Sequence, residues 1–265
     1  MLKMVVGIKW VPNTTSVNID PKTGTLIREG IPSVVNPHDL EAVEMALRLK
    51  DEYGGKVTVI TMSPPSAIAG LEHVLGMGAD EAILVSDRAF AGADTLATSY
   101  VLAKVIERLD YDLIIFGQET IDSSTAHVGA QVASWLDLPY VYYVTHAELR
   151  DRKLVVRRSL ENAHETYELE LPALISVAMH TLHPRRVKVS NKLRVKLENP
   201  IKTWSNQVLG LDPECIGLRG SPTALSKIEM VPKVPRKNEV FRGDAREAAK
   251  WLLEKLMEEG LLKLG

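Results

Sequence analysis

The residues best suited to chemistry lie in one stretch, Asp122 to Gly129, where a carboxylate and three hydroxyl side chains precede small residues. The stretch follows an apolar run at residues 112–116, which predicts a buried strand, and it leads into a segment of helical period. A helix that begins near Thr125 would point unpaired backbone N–H groups at the end of that strand, where they could bind a phosphate. Ser124 or Thr125 could equally cap the helix by accepting from those N–H groups. Local chemistry supports both interpretations equally.

Asp122 has two interpretations as well, because its carboxylate could accept from a ribose or a ligand nitrogen, or could brace the turn. Motifs for covalent or hydrolytic chemistry are missing from the sequence, which contains neither GxxxxGK[ST] nor GxSxG. The pair His180 and His183 is the closest approach to a metal-binding pattern, and we interpret it as a polar turn. The sequence therefore predicts no catalytic residue and no metal site.

The composition describes an ordinary globular protein. The chain has 265 residues, of which 45% are hydrophobic and 25% charged, and its net charge is −2. This balance argues against a nucleic-acid partner. Cys215 is the single cysteine, so any electrons that the protein transfers must be carried by a cofactor. No apolar run approaches the roughly 18 to 20 residues of a membrane span, and no signal-peptide pattern opens the chain, so we expect a cytoplasmic protein.

Strand-like and helical periods alternate through the first half of the chain, which predicts a parallel sheet covered on both faces. The predicted strands are residues 4–9, 56–62, 81–86, 112–116 and 140–144. The predicted helices are residues 37–53, 65–75, 94–109 and 125–136, the first with Asn36 as its N-cap and Pro37 at its first position. In such sheets ligands bind at the carboxyl ends of strands.

The pattern changes in the second half. Residues 153–158 and 165–169 alternate as antiparallel strands do, and residues 172–177 indicate another buried strand. Residues 14–29 indicate an inserted hairpin. Residues 200–241 carry five prolines and no sustained period, yet they are too apolar for a disordered tail. We therefore expect a domain at residues 1–199 and, at residues 200–265, an arm that ends in a helix and lies on another surface.

Several spaced blocks of the sequence occur in one order along the chain: Asn36-Pro37 with residues 41–50, residues 77–80, residues 117–129, Glu165-Thr166 with residues 171–173, and Pro184-Arg185-Arg186. Together these blocks resemble the β subunit of electron transfer flavoproteins. The resemblance implies a Rossmann-like α/β sheet of the adenine-nucleotide-binding type that universal stress proteins share. It also implies an obligate heterodimer with an FAD-containing α subunit, around which the C-terminal arm wraps. A stress-type nucleotide-binding regulator is the alternative outside this family, but it would have about 150 residues and a glycine-rich loop.

The resemblance places a nucleotide pocket at Gly7, Asn36, Pro37, His38, Asp39, Met62, Asp122, Ser123, Ser124, Thr125, Ala126, His127, Val128, Gly129, Gln131 and Val132. In the common form of the family this pocket holds a structural AMP, and in the electron-bifurcating form it holds a second FAD. The run from Thr125 to Gly129 is closer to the bifurcating form, because Ala126 and Val128 leave space for a larger ligand. The resemblance thus favours FAD, with NADH as electron donor, and keeps AMP as the alternative.

The family also has a docking loop for its electron partner, a dehydrogenase or a quinone-oxidoreductase-type protein. It aligns with residues 183–194, which include Arg185, Arg186, Val189 and Arg194. Val189 stands where the family often has an anchoring leucine. A solvated basic face explains the arginines equally well. Any membrane association would come through partner subunits.

Overall fold

The computed structural model describes residues 1–13, 18–19, 26–27, 32–223 and 237–263. The chain divides into two compact units, Met1–Ile228 and Glu229–Gly265. The strands are β1 (Leu2–Gly7), β2 (Trp10–Pro12), β3 (Asn18–Ile19), β4 (Leu26–Ile27), β5 (Ser33–Val35), β6 (Gly55–Met62), β7 (Glu81–Val85), β8 (Leu113–Gly117), β9 (Tyr140–Arg150), β10 (Lys153–Ser159), β11 (His164–Leu169), β12 (Ala173–Val177) and β13 (Ile201–Trp204). The helices are α1 (Pro37–Tyr53), α2 (Ile68–Met77), α3 (Thr95–Ile106), α4 (Val128–Trp135), α5 (Val189–Glu198), α6 (Asn206–Leu209) and α7 (Ala245–Glu258).

The main sheet of the first unit has, in the described residues, nine strands in the order β11-β10-β9-β12-β8-β1-β6-β7-β13. The strands from β9 through β12 to β13 pair in parallel, while β10 pairs antiparallel with both β9 and β11. The predicted α/β fold, a parallel sheet with an antiparallel extension, is therefore confirmed. Because β8, β1 and β6 are neighbours, their carboxyl ends meet at one edge of the sheet.

Successive side chains of the central strands enter two different cores. Met4 and Val6 of β1 pack in the core that α1 and α2 cover, and Val5 packs in the core on the other face with side chains of α3 and α4. This division follows from the two-residue period of a strand. Both faces are apolar because helices cover both, and these strands consequently have continuous hydrophobic sequences.

The segment after residue 200 is less irregular than its sequence suggested. Strand β13 pairs in parallel with β7, and Pro200 precedes it at a position where a strand tolerates proline. Farther along, Leu209 and Ile216 are each only 2% exposed in the core beside α3. The first unit thus continues past the expected boundary at residue 199. A four-residue strand among prolines is too short to produce a recognisable period.

Two other predicted segments are described only in part. Asn18 and Ile19 pair antiparallel with Ile27 and Leu26, as expected for the inserted hairpin, and the rest of that hairpin lies outside the described residues. Residues 224–236 of the expected arm also lie outside the described residues.

In the second unit, Asp244 caps α7 by accepting hydrogen bonds from the backbone N–H groups of Arg246 and Glu247. No helix in the described part of the chain is long and apolar enough to cross a membrane.

The packing of residues 201–223 predicts how the chain responds to truncation. A chain that ends at Asn199 exposes the edge of β7 and removes Leu209 and Ile216 from the core, which should cost about 3 to 6 kcal/mol for those two side chains alone. A chain that ends at Ile228 should keep the unfolding free energy of the first unit. Urea unfolding of both truncations measures the difference, and equal stabilities would contradict this assignment.

Candidate functional site

A pocket of about 640 Å³ opens at the edge where the carboxyl ends of β8, β1 and β6 meet. Gly7, Gly117 and Met62, the last residues of these strands, all line it, and Asp39 contributes from the first turn of α1. The volume lies within the range of about 300 to 1,000 Å³ that small-molecule sites occupy. The position is the one that parallel α/β sheets use for ligands.

The structure brings most of the expected pocket residues together at this site. Those that line it are Gly7, Asp39, Met62, Ser123, Thr125, Ala126, His127, Val128 and Gly129. Those outside the lining are Asn36, Pro37, His38, Asp122, Ser124, Gln131 and Val132. Gln131 donates a long hydrogen bond of 3.4 Å to Thr95, and Val132 is fully buried in the core beside α3.

The pocket wall also includes residues outside the expected set. Lys9 lies two residues after the end of β1, in a loop that the strand-end rule selects, and the same rule could have found Asp94 and Thr95, which open the helix after β7. Thr223 comes from the segment that carries no period, and nothing local marks it as a pocket residue.

The helix after β8 begins later than expected. Helix α4 starts at Val128 and not near Thr125, and His127 occupies its N-cap position without a side-chain cap. Of the two interpretations that the sequence left open, the one in which Ser124 or Thr125 caps the helix is therefore wrong. Since Val128 and Gly129 line the pocket, the start of α4 lies at its wall, and no side chain caps this helix start. Such a helix start attracts anions.

The loop before α4 has an unusual backbone. Ser124 and Ala126 adopt positive φ angles of 45° and 55°, a left-handed conformation that non-glycine residues rarely take. Ser124 is held by its backbone N–H and its hydroxyl, which donate to the carbonyl oxygen of Thr120 at 2.8 and 3.1 Å. The hydroxyl of Ser124 thus braces the loop, whereas Thr125 and Ala126 line the pocket.

Asp122 braces the same loop through an ion pair. Its carboxylate oxygens lie 2.9 and 2.8 Å from the Nζ of Lys9. Burial raises the pKa of Asp122, but hydrogen bonds from Lys9 and Thr120 outweigh burial and lower it below the usual range. Of the two interpretations of Asp122, the structure supports the brace.

The Asn36 side chain joins the start of α1 to the loop after β8. Asn36 is fully buried, and its side chain donates to the carbonyl of Glu119 at 2.8 Å and accepts from the N–H of Ile121 at 3.2 Å. Asn36 is the N-cap residue of α1 and Pro37 opens its first turn, as predicted, although the Asn36 side chain makes no capping hydrogen bond to α1. Among the described residues, the buried Nδ1 of His38 has no hydrogen-bond partner.

The carboxyl group of Asp39 lies in the pocket wall and is only 5% exposed. Its Oδ2 accepts from the backbone N–H of Lys9 at 2.8 Å. Burial raises the pKa of Asp39 to about 7, although hydrogen bonds from Lys9, Asn36 and Gly117 and the charge of Lys9 oppose the shift. The group therefore titrates near neutral pH.

Two of the three glycines considered around the pocket permit close approaches. A Cβ atom on Gly7 would lie 2.1 Å from the ring of Phe116, and one on Gly117 would lie 2.4 Å from Oδ1 of Asp39. These two glycines are thus required by packing. A Cβ atom on Gly129 would meet its nearest neighbours at 3.6 Å, an ordinary contact, so an alanine fits there.

Two of the expected docking arginines serve the fold itself. Arg185 pairs with the 5%-exposed carboxylate of Glu44 at 2.9 Å and with Asp51 at 2.8 Å. Arg194 donates to the carbonyl oxygens of Ala79 and Asp80 at 2.6 and 3.2 Å. Neither is simply part of a solvated basic face, because both attach the segment after β12 to the rest of the domain.

The expected docking loop is helical in its second half, since α5 begins at Val189. Val189, Leu193 and Leu197 form an apolar stripe on α5, with exposed fractions of 74%, 57% and 84%. Arg186 is exposed beside this region. The preceding turn is anchored by Glu41, whose carboxylate accepts hydrogen bonds from the backbone N–H groups of residues 180–182.

In the described residues no group of three His, Cys, Asp or Glu side chains could hold a metal ion.

Comparisons with known proteins agree with this architecture. Residues 23–202 match the electron transfer flavoprotein domain. The chain is 43% identical to an electron transfer flavoprotein subunit beta of Thermoanaerobacterium thermosaccharolyticum, over 96% of this chain and 98% of the relative. It is 42% identical to the caffeyl-CoA reductase-Etf complex subunit CarD of Acetobacterium woodii, over 98% and 100% of the two chains. It is also 42% identical to the protein FixA of Azotobacter vinelandii, over 96% and 94%.

The buried carboxyl group of Asp39 predicts a pH dependence of stability. The pKa of the Asp39 carboxyl group is raised from 3.8 to about 7 in the folded protein. The folded state therefore binds this proton more tightly than the unfolded state, and the resulting stabilisation is complete below about pH 4 and is lost as the pH rises to about 7. Relative to Asp39→Asn, the free energy of unfolding of the unmodified protein should fall over this window by up to about 4 kcal/mol, at about 1.4 kcal/mol per pKa unit.

Urea unfolding of both proteins across this pH range measures the effect. Asp110→Asn is the control, because the Asp110 side chain is 86% exposed and its removal should leave the pH dependence unchanged. A constant difference between the unmodified protein and Asp39→Asn across the window would contradict the assignment.

Proposed function

The chain belongs to the electron transfer flavoprotein β-subunit family, and on that premise we propose that its pocket binds FAD and that the protein relays electrons from NADH in a heterodimer with an α subunit. The observation that carries the proposal is the uncapped start of α4 at the pocket wall. Its backbone N–H groups suit a phosphate, and the small side chains of Ala126 and Gly129 let a phosphate approach them.

The extent of the pocket supports FAD over AMP. The wall includes the starts of α4 and α3, which the Gln131–Thr95 hydrogen bond joins, and the ends of β1, β6 and β8. Ile60, Phe90 and Leu102 add an apolar surface suited to a flat ring system. AMP would need only part of a pocket of about 640 Å³, whereas a dinucleotide would use more of it.

The residues around the pocket would bind and orient the cofactor. When bound, FAD supplies the redox chemistry, a hydride acceptor that can release electrons singly. Val128 and Gly129 would hold its pyrophosphate through their N–H groups. The Lys9–Asp122 pair would fix the loop that carries Thr125 and Ala126, and no side chain is required as acid, base or nucleophile.

The partners are proposed from the family and from the surface. Relatives include a subunit of a caffeyl-CoA reductase complex, which supports a reductase or dehydrogenase as electron partner and electron bifurcation as the reaction. The apolar stripe on α5, together with Arg186, is the proposed docking surface for that partner. The second unit, which contains α7, is the proposed arm around the α subunit. We propose a cytoplasmic location, with membrane association only through partner subunits.

Cofactor stoichiometry in the purified αβ heterodimer tests the proposal. We expect two FAD per heterodimer, one from each subunit, after denaturation and chromatography of the released nucleotides. One FAD together with one AMP would reject FAD in this pocket and favour the non-bifurcating form. Anaerobic titration with NADH should then reduce the FAD of this subunit, and a heterodimer with two FAD that NADH leaves oxidised would reject NADH as donor.

Substitutions at Gly129 test the position of the phosphate. Gly129→Glu places bulk and negative charge at the helix start and should lower the nucleotide content at least tenfold. Gly129→Ala should retain it, because an added Cβ atom meets only ordinary contacts. Gly129→Gln has the bulk of glutamate without its charge and should lose less nucleotide than Gly129→Glu. Full nucleotide content in Gly129→Glu would contradict the assigned phosphate position.

A further inference from the structure

The carboxylate of Asp94 joins two parts of the chain that are far apart in sequence. Its Oδ1 caps α3 by accepting from the N–H groups of Leu96 and Ala97 at 3.0 and 3.1 Å. Its Oδ2 accepts from the hydroxyl and the N–H of Thr223 at 2.7 and 3.2 Å. We refer to the bonds between Asp94 and Thr223 as the clip.

The segment that ends in Thr223 packs closely on the loop before α3. The N–H of Asp94 donates to the hydroxyl of Ser221 at 2.8 Å. Gly217 has a positive φ of 56°, and a Cβ atom there would lie 2.1 Å from the carbonyl oxygen of Ala89. Ile216 is buried in the core. The clip is therefore the last of several contacts that hold residues 216–223 in place.

Both partners of the clip line the nucleotide pocket. Burial raises the pKa of Asp94, but hydrogen bonds from Ala97, Thr223 and Leu96 outweigh burial and lower it, so the group is a carboxylate at neutral pH. A carboxylate in the wall would repel a nucleotide phosphate. The hydroxyl and the N–H of Thr223 both donate to Oδ2 of Asp94. Among the described residues they are the hydrogen-bond partners of this oxygen.

We propose that the clip makes nucleotide retention and attachment of residues 216–223 depend on each other, with Asp94 and Thr223 as positioning residues. The inference rests on the proposed function only in requiring that a nucleotide occupies the pocket. Because coupling between two binding events is reciprocal, a clip that strengthens nucleotide binding is itself strengthened by the bound nucleotide to the same extent. Beyond Thr223 the chain continues to the second unit, the proposed arm, so Thr223 precedes that arm in the sequence.

The test uses the αβ heterodimer loaded with its own nucleotide. Thr223→Val keeps the shape of the side chain and removes the hydroxyl donor. It should accelerate nucleotide dissociation about tenfold, the effect of one lost hydrogen bond to a charged group. Thr203→Val is the matched control, because Thr203 is an exposed residue of β13 and is not part of the pocket wall. Its dissociation rate should equal that of the unmodified heterodimer.

Hydrogen exchange at the amides of Ser221 and Thr223 separates coupling from a purely structural role. In the unmodified heterodimer, nucleotide should slow this exchange relative to the nucleotide-depleted protein, and Thr223→Val should reduce the slowing. If Thr223→Val fails to fold, Thr223→Ala replaces it, because alanine also lacks the hydroxyl donor and leaves the Asp94 carboxylate in place. Thr223→Ala should likewise accelerate dissociation.

Two results would overturn the clip while the proposed function stands. One is equal dissociation rates for Thr223→Val and Thr203→Val, and the other is exchange at residues 221 and 223 that does not respond to nucleotide. The test works with FAD or AMP, so finding AMP would reject FAD and still measure the clip. An unmodified heterodimer that binds no nucleotide would overturn both proposals.

Discussion

The close approach of β1, β8 and α1 is the constraint on which the pocket depends. Asp39 reaches from the first turn of α1 to the N–H of Lys9, and Gly117 has no side chain where the Asp39 carboxylate packs. On the other side of the sheet, Gly7 leaves room for the ring of Phe116. These contacts bring the helix start, the strand ends and the loop after β8 to one edge of the sheet.

The charged groups around the pocket are largely matched by partners within the chain. Lys9 pairs with Asp122, and the carboxylate of Asp94 accepts from four donors. The uncapped N–H groups of α4 are therefore the element best suited to bind an anion. In this account the side chains shape the pocket, while the backbone holds the ligand.

Sequence reasoning found the elements with long, regular periods and missed those set by distant contacts. Helix α1 was predicted from Pro37 to Tyr53, as observed, because its period and start signals are local. The predicted start of α4 is three residues too early because Ser124 and Ala126 adopt a left-handed backbone. Glycine is the residue type that usually indicates this conformation, and neither residue is a glycine. The role of Thr223 depends on Asp94, 129 residues away, so no local pattern could reveal it.

The most direct test of the central claim locates the phosphate of the bound nucleotide. In a heterodimer labelled with ¹⁵N in this subunit, NMR can detect coupling between amide groups and ³¹P across N–H···O–P hydrogen bonds. We predict coupling at the amides of Val128 or Gly129, the first residues of α4. Phosphorus coupling confined to amides elsewhere, with none at the start of α4, would contradict the account.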